Sequence, residues 1–178
     1  MKASRVKGLR PGSKLGGAAQ RIARQRILDL LALDAAVRDP ANVRELHDLR
    51  IAAKRLRYTL EVLGEVLGPA AGVVEDEARA LQDILGEVHD CDVLGPRLEQ
   101  ELAKLAADDA RAVADLAHGD PDAAARVLRD APGRATRQGV QALAVGVAAR
   151  RALLYERFLL RWDALLAGSA LTALTHPS

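Results

Sequence analysis

The sequence predicts an all-α fold, an antiparallel bundle of about five to six helices. Three observations point there. Hydrophobic residues make up 49% of the 178 residues, mostly Ala, Leu and Val, while aromatics make up only 2%. Ala and Leu with Arg and Glu favour helix, whereas strand-rich folds carry more Thr, Tyr and Phe. Long amphipathic segments are separated by short Gly- and Pro-containing breaks, so successive helices become antiparallel neighbours, and no segment carries a strong strand signal.

Taken in order, residues 1–17 read as a basic N-terminal arm punctuated by "RPGS" and "GG", and residues 18–178 as one helical domain. A first helix is expected from about Ala18 to Val37, ended by "RDPAN", where Pro40 disfavours helix at the residue before it. Asn42 is a candidate N-cap for the second helix, with Glu45 three residues on as a capping-box partner. That helix ends near "LGPAAG". A third is expected from about Val73 to Leu94, stopped by "GP" at 95–96, where Pro96 suits the first turn of a fourth helix reaching about His118. "HGDPD" is a loop, a short helix covers 122–130, "APG" breaks again, and a last long helix runs from about Arg134 to Ala167, before the tail "THPS". Phe158 and Trp162, four residues apart on that helix, are core candidates.

No apolar run approaches membrane-spanning length. The N-terminus lacks the apolar stretch of a secretory signal, and its glycines and proline break the amphipathic helix of a transit peptide. The single Cys91 excludes an intramolecular disulfide and a multi-cysteine metal site, and fits a reducing compartment.

The net charge of +2 hides a strong asymmetry. Residues 1–57 hold 14 Lys/Arg against 5 Asp/Glu, residues 58–109 hold 3 against 13, and residues 110–178 hold 9 against 6. Segregation of this kind is an argument about partners: the basic third faces either the acidic third or a polyanion.

The second helix sharpens the choice. In "LHDLRIAAKRLRYTLEVL", at about 100° per residue, Leu46, Leu49, Ala53, Leu56, Leu60 and Leu63 fall in a core-facing arc. His47, Arg50, Lys54, Arg57, Tyr58 and Glu61 fall in another, and Arg55 points elsewhere. A solvated face normally mixes signs, because like charges at i, i+4 cost a few tenths of a kcal/mol. From 47 to 58 this arc has no acid, so an anion or the acidic segment must compensate it. On the third helix Gln82, Gly86 and His89 share a stripe, with Asp83 and Asp90 beside it. Gly86 reads either as a site of close helix packing or as room for a ligand. The first helix adds Arg21, Arg24 and Gln25, and the last adds Arg150, Arg157 and Arg161.

The two blocks, H-x-x-R-x-x-x-K-R-x-R-Y at 47–58 and L-Q-x-x-L-G-x-x-H-D at 81–90, resemble the CHAD family, the conserved histidine α-helical domain. The match is strongest over about 43–94, and "VKGLRP" and "RIARQRIL" are similar to the family's opening. The resemblance implies a helical-bundle fold, and binding of inorganic polyphosphate along a basic surface lined by the motif helices. It places His47, Arg50, Lys54, Arg55, Arg57, Tyr58, His89 and Asp90 at motif positions. Of these, all but Asp90 are expected polyphosphate-binding residues, with Arg21 and Arg24 as helpers. Longer members carry the pattern twice. Here it occurs once, so a second chain in a homodimer is expected to restore the symmetry. The reading expects no catalysis, no cofactor, no membrane partner and no nucleic acid, since stacking aromatics are scarce. It expects a cytoplasmic location, with polyphosphate granules.

Two other readings compete. His47 and His89, with Asp48, Asp83 and Asp90, could form a metal centre or a phosphotransfer site, although no P-loop, nucleophile elbow or HExxH occurs. A non-catalytic interaction scaffold would pair the basic helix with the acidic one through many internal salt bridges.

Overall fold

The structure, a computed structural model, describes residues 3–10, 12–128 and 133–175, and residues 125 and 126 by their backbone only. The fold is all-α. Seven helices are described: α1 (Leu15–Leu31), α2 (Asp34–Val37), α3 (Val43–Leu67), α4 (Pro69–Leu116), α5 (Pro121–Val127), α6 (Arg134–Ala167) and α7 (Ser169–Thr175). No helix among the described residues is long and apolar enough to cross a membrane. The ends of the expected 122–130 helix, the "APG" break and the "THPS" tail include residues 129–132 and 176–178, which lie outside the described residues.

Three expectations of the sequence are corrected. The first helix starts earlier, at Leu15, and ends at Leu31, with the short α2 following. The expected stop at "GP" is absent: Pro96 lies inside the continuous α4. An interior proline gives up one N–H of the ladder and crowds the carbonyl four residues back, at about 3 kcal/mol; Gly95 before it has no Cβ, which removes the part of the clash due to the preceding side chain. At the start of α3, Asn42 occupies the N-cap position, but its side chain makes no cap bond and donates to the Ala36 carbonyl at 2.9 Å instead. Asn42 thereby ties α3 to the end of α2.

The chain divides into two compact units, one of residues 1–89 and 153–178, the other of residues 90–152. In the first, Ala19, Ala23, Ile27 and Leu30 of α1 and Leu49, Ala53, Leu56 and Leu60 of α3 are fully excluded from solvent. The apolar arc of α3 is therefore the core face, except that Leu63 is only half-buried. Phe158 and Trp162 are completely buried and stack at 6.2 Å. Polar atoms lock the end of α6 onto α2: Trp162 Nε1 donates to Asp34 Oδ1 at 2.8 Å, and the buried Tyr155 hydroxyl donates to the Val37 carbonyl at 2.9 Å. Arg161 and Glu77 form a two-pronged ion pair at 2.9 and 3.1 Å.

In the second unit Leu98, Val113 and Ala117 are buried. The buried Asp109 accepts from the Gly133 N–H at 3.1 Å and faces Arg137 Nε at 3.3 Å. A Cβ at Gly133 would collide with that carboxylate, so only glycine permits the approach. Arg151 pairs with Asp92 at 2.8 Å.

The arm is anchored rather than free. Asp29 of α1 is buried and accepts from Arg26 Nη1 at 2.6 Å, Gln25 Nε2 at 3.1 Å and the Ser4 N–H at 3.4 Å, while both Arg26 Nη groups donate to the Ser4 carbonyl at 3.2 Å. Burial pushes the Asp29 carboxyl up, but the hydrogen bonds from Ser4, Gln25 and Arg26 together outweigh it and hold it below its ordinary value. A depressed carboxyl contributes stability that is present above its unfolded value and lost as pH falls through the folded one. Asp29→Asn is expected to cost about 1.5–3 kcal/mol in urea unfolding at neutral pH, the scale of hydrogen bonds to a charged group. It should also flatten the decline of stability in acid. An unchanged unfolding midpoint would show that the anchor contributes nothing.

Candidate functional site

The second arc of α3 is set by the first. Burial of Leu49, Ala53, Leu56 and Leu60 fixes the helix about its own axis and turns His47, Arg50, Lys54, Arg57 and Tyr58 to the opposite margin. There His47, Arg50 and Arg57 are half-buried, and Lys54 and Tyr58 are exposed. The facing stripe of α4 is the one expected from sequence. The His47 and His89 rings meet with centroids 4.7 Å apart at an interplanar angle of 43°. Arg57 Nε donates to Gln82 Oε1 at 3.2 Å. A Cβ at Gly86 would stand 3.6 Å from Arg50 Nε. Gly86 therefore leaves room for the Arg50 side chain rather than for a second backbone.

The electrostatics are one-sided. Among the described residues Arg50 and Lys54 make no ion pair, and Arg57 reaches only Glu61 of its own helix, at 3.7 Å. None of the three is matched by a carboxylate of α4, although α4 is the acidic segment. Tyr58 supplies the compensating electron density instead: Arg57 Cζ lies 4.2 Å from its ring centroid and Lys54 Nζ 5.9 Å. Such contacts contribute about 0.5–1 kcal/mol each where exposed. Two further polar atoms, His47 Nδ1 and Arg50 Nε, are buried without a hydrogen-bond partner among the described residues. Leaving a buried polar atom unmatched costs about 1–3 kcal/mol. The face is thus kept cationic at a cost to the fold.

Arg55 lies off this stripe, as the helical wheel requires; it is half-buried and engaged within the chain. Arg21 and Arg24 are exposed on α1 and line a cleft with Leu174 and Thr175 of α7, rather than with α4. Arg161, one of the last-helix arginines, is committed to Glu77. No group of three or more His, Cys, Asp or Glu placed to hold a metal ion occurs among the described residues, so a metal would have the His47–His89 pair alone to build on. Three features were not read from sequence: the arm's attachment at Asp29, the Gln82 amide as the partner of Arg57, and the α1–α7 cleft. Only the Gln25/Arg26–Asp29 spacing carried a local signal for the first.

The family model of the CHAD domain matches residues 3–99. That span holds the arm, α1 to α3 and the motif half of α4. Uncharacterized protein Rv2226 of Mycobacterium tuberculosis is 36% identical over 83 residues, which cover 46% of this chain and 16% of that protein. The chain therefore matches about a sixth of that relative's length. No solved structure matches.

The geometry at Gly86 yields a test. A helical Gly costs about 0.5–1 kcal/mol relative to Ala, and 3.6 Å from Arg50 Nε is an ordinary contact. Gly86→Ala is expected to raise the unfolding free energy measured in urea by that amount. A fall in stability would mean that a neighbouring helix backbone closes on Gly86.

Proposed function

The chain belongs to the CHAD domain family, whose domains are associated with polyphosphate binding, and on that premise we propose that its α3–α4 face binds inorganic polyphosphate without turning it over. One observation carries the reading. Arg50 and Lys54 stand next to two touching imidazoles with no carboxylate partner among the described residues, one helix away from an acidic segment that could have supplied one. An interaction scaffold held by internal pairing would have neutralised them.

The chemistry of the row fits the ligand. Polyphosphate carries about one charge per phosphate, offers no bases to read, and bends. Arg50 and Arg57 supply planar forks of donors and Lys54 a point charge. His47 and His89 add imidazole nitrogens that can donate as N–H groups. Tyr58 orients the two flanking cations. Arg55, off the stripe, is the weakest contributor, and Arg21 and Arg24 belong to a different cleft that a longer chain would have to reach. Its nucleic-acid affinity is expected to be low, because the Tyr58 ring on this face already has cations against it. A cytoplasmic location, with polyphosphate granules, belongs to the same proposal.

A second copy of the chain is part of the proposal too. The motif pair occurs once, and Leu153 and Leu160, seven residues apart on α6 and so on one side of it, are exposed at 66% and 75%. An isologous pair would bring two cationic rows into one assembly.

Two measurements check these statements. With three cations engaged, log K for polyphosphate should fall against log salt with a slope of about −2, taking roughly −0.7 per phosphate. Lys54→Gln should weaken binding by about 1.5–3 kcal/mol and Arg55→Gln by much less, while duplex DNA binds more weakly at matched salt. Equal affinity for DNA, or a larger effect at Arg55, would remove the basis for the assignment. Light scattering at micromolar concentration should give twice the chain mass, and a mass of one chain throughout would refute the dimer.

A further inference from the structure

The α1–α7 cleft has its own chemistry. It is lined by Gly17, Gln20, Arg21 and Arg24 on one side and Leu174 and Thr175 on the other, and is a half-open hollow of about 150 Å³. At roughly 30 Å³ per water-sized atom, that volume holds about five atoms, the size of one phosphate ion. Arg21 and Arg24 are exposed and make no ion pair among the described residues. The first turn of α1 contains no acid, and the nearest carboxylate along the helix, Asp29, is taken up by Arg26, Gln25 and Ser4. Nothing on α1 therefore neutralises the two guanidinium groups.

Their presentation is also set. The Arg21 side chain lies back over α1: its Nη1 and Nη2 sit 3.7 and 3.9 Å from where a Cβ at Gly17 would be, and its Cδ 3.7 Å from the corresponding position at Gly8. The Arg21 guanidinium thus lies in ordinary contact distance of the Gly17 position at the cleft wall. Leu174, 5% exposed, closes one side with an apolar surface. Thr175 donates its hydroxyl proton to the Leu171 and Thr172 carbonyls, so it bounds the cleft without donating into it. The donors left to face an incoming group are the two guanidinium forks and the Gln20 amide. Two exposed guanidinium groups lining one cleft suit a tetrahedral oxyanion with several acceptor oxygens, which an arginine fork can take bidentately. The cavity lined by Glu77, Arg157, Leu160, Arg161 and Ala164 differs in this respect, because its Arg161 is already paired with Glu77.

We propose that the α1–α7 cleft is a second anion site, built from other residues than the α3–α4 face, and that it takes a single phosphoryl group. The same oxyanion chemistry is offered by inorganic phosphate and by the terminal phosphate of a longer chain. The site stands whether or not the α3–α4 face binds polyphosphate.

Calorimetric titration of the full chain at low salt, with inorganic phosphate and with tripolyphosphate as separate ligands, tests this. The variants are Arg21→Gln/Arg24→Gln, the conservative Arg21→Lys/Arg24→Lys, and Arg50→Gln/Lys54→Gln, each checked for unchanged helicity. The wild type should bind one phosphate. The Gln pair in the cleft should weaken it about tenfold or more, the equivalent of roughly 1.4 kcal/mol, the Lys pair should retain most of it, and the α3 pair should change it less than about twofold. A loss confined to tripolyphosphate would identify the chain end as the ligand, and a loss of both would identify the phosphate group itself. Absence of phosphate and tripolyphosphate binding by the wild type, binding unaffected by the cleft variants, or loss only in the α3 pair would each overturn the proposal. The last outcome would leave the α3–α4 reading intact.

Discussion

An uncompensated row of positive charge on α3 is the constraint around which the rest of the first unit is arranged. Arg50 and Lys54 are one turn apart on the same helix margin, where their repulsion costs a few tenths of a kcal/mol, and no acid of α4 is brought up to relieve it. The margin exists because the other arc of α3 is buried completely, and that burial fixes which residues face out. The helix cannot rotate to disperse the charge without taking Leu49, Leu56 and Leu60 out of the core. At about 2–5 kcal/mol for the loss of one such side chain, core packing exceeds the repulsion severalfold. The fold therefore holds the cations in place, and the small local penalties, including the unmatched His47 Nδ1 and Arg50 Nε, are carried by the core.

The neighbouring elements are consistent with that arrangement. Arg50 packs over Gly86 of α4, Gln82 holds Arg57 by a neutral amide rather than a carboxylate, and Tyr58 orients cations without cancelling their charge. Each contact positions a positive group and leaves it positive. Elsewhere in the same unit the opposite choice is made: Arg161 meets Glu77, Arg38 meets Asp34 and Asp163, and Arg26 meets Asp29. Those arginines are neutralised across elements or along α1, whereas Arg50 on the motif margin and Arg21 and Arg24 in the α1–α7 cleft make no ion pair among the described residues, and Arg57 reaches only Glu61 of its own helix.

Much of this was legible in the sequence, for a physical reason. Leucine spacing on α3 fixed its phase, and phase alone sorted His47, Arg50, Lys54 and Arg57 from Arg55. The stripe of Gln82, Gly86 and His89 followed in the same way, and the meeting of His47 with His89 needed only the assumption that the two blocks face one another. What was not legible depended on tertiary contacts or on single exceptions to local rules. Pro96 was read as a helix stop, because sequence rules weigh the proline more readily than the relief offered by Gly95. Asn42 was read as a capping side chain, and its amide instead found a tertiary acceptor in Ala36. Arg21 and Arg24 were grouped with the motif helix because they are basic and close in sequence. Only packing against α7, more than 140 residues away, shows that they line a cleft of their own.

The central claim is that the cationic margin of α3, and not basic charge in general, receives the polyphosphate. The most direct measurement is an NMR titration that follows the arginine Nε–Hε and histidine ring resonances together as polyphosphate is added. The account predicts that Arg50, His47 and His89 shift early and saturably, while Arg161, held by Glu77, stays in place. Shifts spread evenly over the arginines of the chain, or led by Arg161 with His47 and His89 unmoved, would contradict it.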